Sequence, residues 1–161
     1  MPSPTRAVLR RSLAIGAAML GLLGAGHSFA GECPADRVVG SSNPQIMTTP
    51  SGVTDSVLSS IDLSRAPYNT PHRLLRLRRL VVQPGGVVPW HSHSERPAII
   101  YIVEGEITEY ASTCAVPILH KAGESTTEQH PTQHWWRNNS GRPAVLLSAD
   151  FFPNGHDDHM M

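Results

Sequence analysis

Pro84-Gly85-Gly86-Val87-Val88-Pro89-Trp90-His91-Ser92-His93 is a Pro-Gly-Gly turn followed by a β-prone run that delivers two histidines one residue apart. On an extended strand, side chains at i and i+2 leave the same face. His91 and His93 therefore present two imidazoles side by side. That is a ligand spacing for one metal ion, and imidazole is the commonest protein ligand for transition metals near neutral pH. Ten residues further on, Val103-Glu104-Gly105 turns the next β-prone run, Ala98 to Val103, into another, Glu106 to Tyr110.

A second segment, His134-Trp135-Trp136-Arg137-Asn138, places a third histidine four residues before an asparagine. With it the chain resembles the cupins. That family's first motif, G-x5-H-x-H-x3/4-E-x6-G, is met at Gly85, His91, His93 and Gly105, and its second motif ends in H-x3-N, met at His134 and Asn138. The resemblance spans roughly Leu74 to Leu147. It implies an all-β fold, a single-domain cupin jelly-roll barrel. It also implies that His91, His93 and His134 converge on one divalent transition metal, Fe, Cu, Mn, Ni or Zn, and that the chain forms a homodimer. One fold hosts many activities, so the resemblance names none.

The pattern is broken at one place. Counted back from Gly105, the family's glutamate falls at Ala98. Glu95, two residues after His93, would share the ligand face if the strand stayed extended. Pro97 favours a break there, which would leave Glu95 as a loop carboxylate paired with Arg96 or steadying a ligand. The site is then either three imidazoles with Glu95 or three imidazoles alone. His130 lies outside the motif, and Pro131 disfavours a helical face shared with His134. His72 and His120 carry no spacing signal.

The remaining chain reads as short strands bounded by Gly/Pro turns, as expected of a β-sandwich or barrel. Val53 to Leu63 reads as a strand or short helix, and Arg73 to Gln83 as a strand ending at the Pro84-Gly85-Gly86 turn. This second strand carries arginines on both faces: Arg73 and Arg79 on one, Arg76 and Arg78 on the other. An inward guanidinium could bind a substrate carboxylate bidentately, whereas an outward one would sit at a rim or interface. Arg79, Trp90, Tyr101 and Trp136 are the candidates for the wall of a substrate pocket.

The ends set the compartment. Arg6, Arg10 and Arg11 precede a short apolar run, Leu13 to Leu23, and Ser28-Phe29-Ala30 offers a small-residue cleavage site. Residues 1–30 read as a secretory signal peptide, and Arg10-Arg11-Ser12-Leu13 resembles a twin-arginine signal. The run is too short to span a bilayer, so a periplasmic or secreted protein with no stable membrane insertion is expected. The full chain has 13 basic and 13 acidic residues. Cleavage removes three arginines and no acid, which leaves a mildly acidic protein without a basic stripe, and no nucleic-acid partner is expected. Cys33 and Cys114 would form one disulfide in an oxidising compartment, with a free Cys114 thiol near the site as the alternative. Residues 31–52 read as an irregular arm, 53–153 as the barrel and 154–161 as a flexible tail, whose His156, His159, Met160 and Met161 offer at most a loose metal contact.

Three functions fit these residues. The first is a metal-dependent, dioxygenase-like enzyme acting on a small molecule. The second is a non-catalytic metal- or small-molecule-binding protein, and the third a structural barrel with an empty pocket.

Overall fold

The computed structural model describes residues 31–41 and 46–154. The proposed leader and the tail beyond Asn154 lie outside them. Among the described residues there are eight strands and one short 3-10 turn, Ala35–Arg37. The strands are β1 (Ser51–Asp62), β2 (Arg73–Ser92), β3 (Ala98–Glu104), β4 (Glu106–Ala111), β5 (Ile118–Lys121), β6 (Ser125–Glu128), β7 (Gln133–Arg137) and β8 (Ala144–Pro153). They form one antiparallel sheet in the order β5-β4-β7-β2-β8-β3-β6, with β1 added along β2. The sheet curls into a nearly closed barrel, the jelly roll that the motifs imply.

The segment Val53 to Leu63 is strand rather than helix. The Pro84-Gly85-Gly86 turn does not end β2 but re-aims it. Before the turn, Arg73 to Val82 pairs with β8; after it, Val87 to Ser92 pairs with β7. Gly86 allows this corner because a side chain there would meet three backbone oxygens at 2.8–3.0 Å. Gly105 serves the β3–β4 turn with φ +77°, and a Cβ would stand 2.6 Å from the Pro143 carbonyl oxygen. Both the left-handed backbone and the close approach require glycine there.

Alternation of two decides what enters the barrel. Leu80 and Val82 of β2, Ile100 and Ile102 of β3, Ile107 of β4, Trp136 of β7 and Leu146 of β8 join one buried apolar cluster. Asn138, from the second motif, closes one end of the barrel. Its amide donates to the carbonyls of Val82 and Arg142 (2.9 and 2.7 Å), and its oxygen accepts from Ser140. The arm is tied down as well: Cys33 and Cys114 form a disulfide, Val38 bridges to Cys114, and the Met47 carbonyl accepts from Trp90.

Candidate metal centre

His91 lies near the end of β2, and His93 follows just past it. His134 of β7 is the cross-strand partner of His91. Directly opposed residues in an antiparallel pair share a face, so the register brings the first and third histidines together. The fourth group is Glu128, the last residue of β6. Its cross-strand partner is Ala98, the position where the family pattern has its glutamate. The small alanine leaves space on the inner face, and the neighbouring strand fills it with a carboxylate. Ligand atoms from His91, His93, His134 and Glu128 all lie within 4.8 Å of one another.

The spacing fits a single ion. His134 Nε2 is 3.2 Å from His91 Nε2 and 3.5 Å from a Glu128 oxygen, and His93 Nε2 is 3.0 Å from the other Glu128 oxygen. Two atoms each ~2.1 Å from a common ion stand roughly 3.0 Å apart at a right angle and roughly 3.4 Å apart at the tetrahedral angle.

The rings are also held in one tautomer. His91 Nδ1 donates to the Pro89 carbonyl at 2.8 Å, His93 Nδ1 to the Arg96 carbonyl at 2.8 Å, and His134 Nδ1 to Glu109 at 2.6 Å. Each of those partners accepts only, so the proton sits on Nδ1 and the Nε2 lone pair faces the cluster. His93 Nε2 is buried with no hydrogen-bond partner. Three lone pairs and a carboxylate thus converge with no donor protons of their own among them. A cation relieves that arrangement, and the donor set suits a divalent transition metal.

The electrostatics differ from ring to ring. Burial, reinforced by His134 and His93, pushes His91 well below the usual histidine range. Burial also opposes charge on His134, but Glu128 and Glu109 outweigh it and its pKa is raised. Glu109 is buried, which alone would raise it; hydrogen bonds from His120 and His134 prevail and hold it at about 2. His120 Nε2 donates to Glu109 at 2.8 Å and its ring stacks on Trp136, so a buried His120–Glu109 pair stands behind the His134 ring.

Beside the cluster is a cavity of about 30 Å³, room for about two waters. Leu80, Val88, Ile100, Trp136 and Leu146 give it an apolar wall; Arg78, Arg96 and Ser148 give it a polar one.

The structure brings His91, His93 and His134 together and leaves Glu95 out. Glu95 is exposed, and its backbone carbonyl accepts from Arg73 at 2.8 Å. The chain breaks out of the strand after Ser92, as Pro97 favoured, which ends the shared face on which Glu95 depended. Of the pocket candidates, Trp136 lines the cavity. Arg79, Tyr101 and Trp90 do not, for one reason: each neighbours an inward residue, Arg78, Ile100 and His91 respectively, and points the other way. Arg79 and Tyr101 are exposed, and the Trp90 indole reaches Gln133. His130 is exposed and outside the cluster. Sequence reasoning missed Glu128, Glu109, His120, Arg96 and Ser148, and it weighed Arg78 only as one of two possible faces. Ser125-Thr126-Thr127-Glu128 is polar throughout and carries no alternation, and only the register with β3 shows what Glu128 faces.

Comparison with known proteins agrees with this architecture. Residues 78–150 match the Cupin_2 family, described as a cupin domain. A germin-like protein (subfamily 2 member 2) of Arabidopsis thaliana is 29% identical over 114 residues, 68% of this chain. The chain spans half the length of that relative. Among solved structures, a predicted oxalate decarboxylase from Thermotoga maritima is similar with a TM-score of 0.51 at 19% identity, covering 71% of this chain and 99% of its own. The Cnp3 cupin domain of Schizosaccharomyces pombe has a TM-score of 0.49 at 15% identity, over 71% of this chain and 74% of its own. The chain is thus similar to the cupins over residues 78–150, and its barrel shares their fold.

Proposed function

We propose that the chain is an exported mononuclear metal-binding cupin that acts on a small molecule beside His91, His93, His134 and Glu128. The observation that carries this reading is the convergence of three Nε2 lone pairs and one carboxylate, each ring backed by an acceptor on Nδ1. When bound, a divalent transition metal would supply Lewis acidity and, if redox-active, dioxygenase-like chemistry. The protein's own residues do the rest. Pro89, Arg96 and Glu109 lock the three rings, and Trp136 and its apolar neighbours give the cavity one apolar wall.

With Glu128 in place, the donor set is three imidazoles and a carboxylate rather than three imidazoles alone. The open cavity beside the donors favours the enzymatic form of the proposal. Its small volume favours the alternative, a non-catalytic protein that binds an ion or small molecule. The disulfide supports an oxidising compartment, and hence export. Elemental analysis of tag-free protein tests the metal. About one transition-metal ion per chain is expected, and His93→Ala should lose most of it. Full metal content in that variant contradicts the assignment.

A further inference from the structure

His120 leaves one of its two ring nitrogens unused. The ring is 0% exposed, stacks on Trp136 and gives its Nε2 proton to Glu109 at 2.8 Å. In the neutral ring Nδ1 then carries a lone pair. That nitrogen is buried and has no hydrogen-bond partner. A buried acceptor of this kind is costly unless a donor reaches it. Nothing at the histidine cluster uses it, because Glu109 and His134 lie beyond the other nitrogen of the ring.

Gly31 faces this lone pair. Its φ is +97°, and a Cβ built on it would stand 3.0 Å from His120 Nδ1 and 3.3 Å from a Glu124 oxygen. These separations crowd a carbon, but a nitrogen bearing protons would be at or near hydrogen-bonding distance of both atoms. The Glu124 oxygen accepts from the Lys121 amide at 2.8 Å and has capacity for a second donor. The segment is also tethered. Cys33, two residues after Gly31, is bonded to the buried Cys114, and Val38 bridges to the same residue.

We propose that the α-ammonium of Gly31, freed by removal of the leader, docks on His120 Nδ1 and the Glu124 carboxylate. The bond cut is the one between Ala30 and Gly31. An amide nitrogen still joined to Ala30 offers one proton and no charge, whereas an α-ammonium offers several protons and a positive charge. Once released, it turns about the Gly31 Cα–C bond into the tetrahedral position that a side chain could not occupy. A hydrogen-bonded chain then runs from the new terminus through His120 and Glu109 to His134 Nδ1. Gly31 and His120 are positioning residues: they brace Glu109 against the His134 ring and touch no ion. Processing of the leader thereby completes the support of the cluster. The proposal rests on the export reading for the site of cleavage and needs no bound metal.

Three chains test it: the exported protein, a chain produced to begin at Gly31, and one with a single extra serine before Gly31. Mass analysis of the exported protein should find Gly31 as its first residue. In the chain beginning at Gly31, an N-hydroxysuccinimide ester should acylate the α-amine roughly 10-fold more slowly than in its Glu124→Gln variant or in the serine-extended chain. That factor is the effect of one pKa unit on the reactive free base. Nitrogen NMR should show the His120 Nδ1 resonance shifted between the Gly31-first and the serine-extended chains, a change that a merely structural terminus would not cause. Equal labelling rates in the three forms overturn the proposal, as does an unshifted His120 Nδ1 resonance. An exported protein that begins at another residue also overturns it, while export itself stands. Should the chain not be exported, the export reading fails by itself, and the labelling rates and the resonance still decide whether a Gly31 ammonium docks.

Discussion

Glu128 and Glu95 are the residues on which the account of the site turns. Both lie within reach of the motif by sequence distance, but one is buried against His93 and the other faces solvent. Removing Glu128 takes a charged donor from a buried cluster, whereas removing Glu95 takes nothing from it. Glu128→Ala should therefore lower metal affinity by two orders of magnitude or more, and Glu95→Ala should leave it within about 3-fold of wild type. Competition against a chelating dye measures both, and the reverse order would refute the assignment. Glu109 acts one step further out, by holding His134 Nδ1 at 2.6 Å. Partners of this kind typically contribute about 10–100-fold in affinity, and Glu109→Gln, which keeps the shape and loses the charge, should fall in that range.

Pairing between strands explains both what could be read from the chain and what could not. His91 and His93 are legible because period two is a local property of one strand, and Gly105 is legible because a tight turn needs its backbone. Glu128 is not, because Ala98 and Glu128 become neighbours only through the β3–β6 register. The same holds for Ser148 and Arg78, which meet through the β2–β8 register. The choice between the two arginine faces of β2 was open for a related reason: alternation shows that the faces differ but not which one enters the barrel. The β3–β4 turn gives a direct check at this scale. Gly105→Ala puts a methyl group 2.6 Å from a backbone oxygen at positive φ, and it should cost on the order of 2–3 kcal/mol in chemical denaturation. An unchanged denaturation midpoint would mean that the turn is not built as described.

At the scale of the molecule, the disulfide and the strand β1 set stability and assembly. The Cys33–Cys114 bond spans 81 residues, a loop for which chain entropy alone gives roughly 4–5 kcal/mol. Among the described residues β1 pairs with β2 alone, and it exposes Val57, Leu58 and Ile61, 46%, 52% and 48% accessible. A twelve-residue edge strand with apolar side chains invites pairing with a second copy. A homodimer is therefore expected, with a mass of about twice the chain by light scattering, and Leu58→Lys should shift it toward monomer. A wild-type monomer at all concentrations would refute this.

The central claim is that four side chains from β2, its following loop, β6 and β7 hold one ion. Anomalous diffraction from crystals of the metal-loaded protein, recorded at the metal's absorption edge, tests it most directly. The account predicts one peak per chain, about 2.0–2.3 Å from Nε2 of His91, His93 and His134 and from a Glu128 oxygen. A peak bound elsewhere, or one with Glu128 more than about 3 Å away and Glu95 in its place, would contradict it.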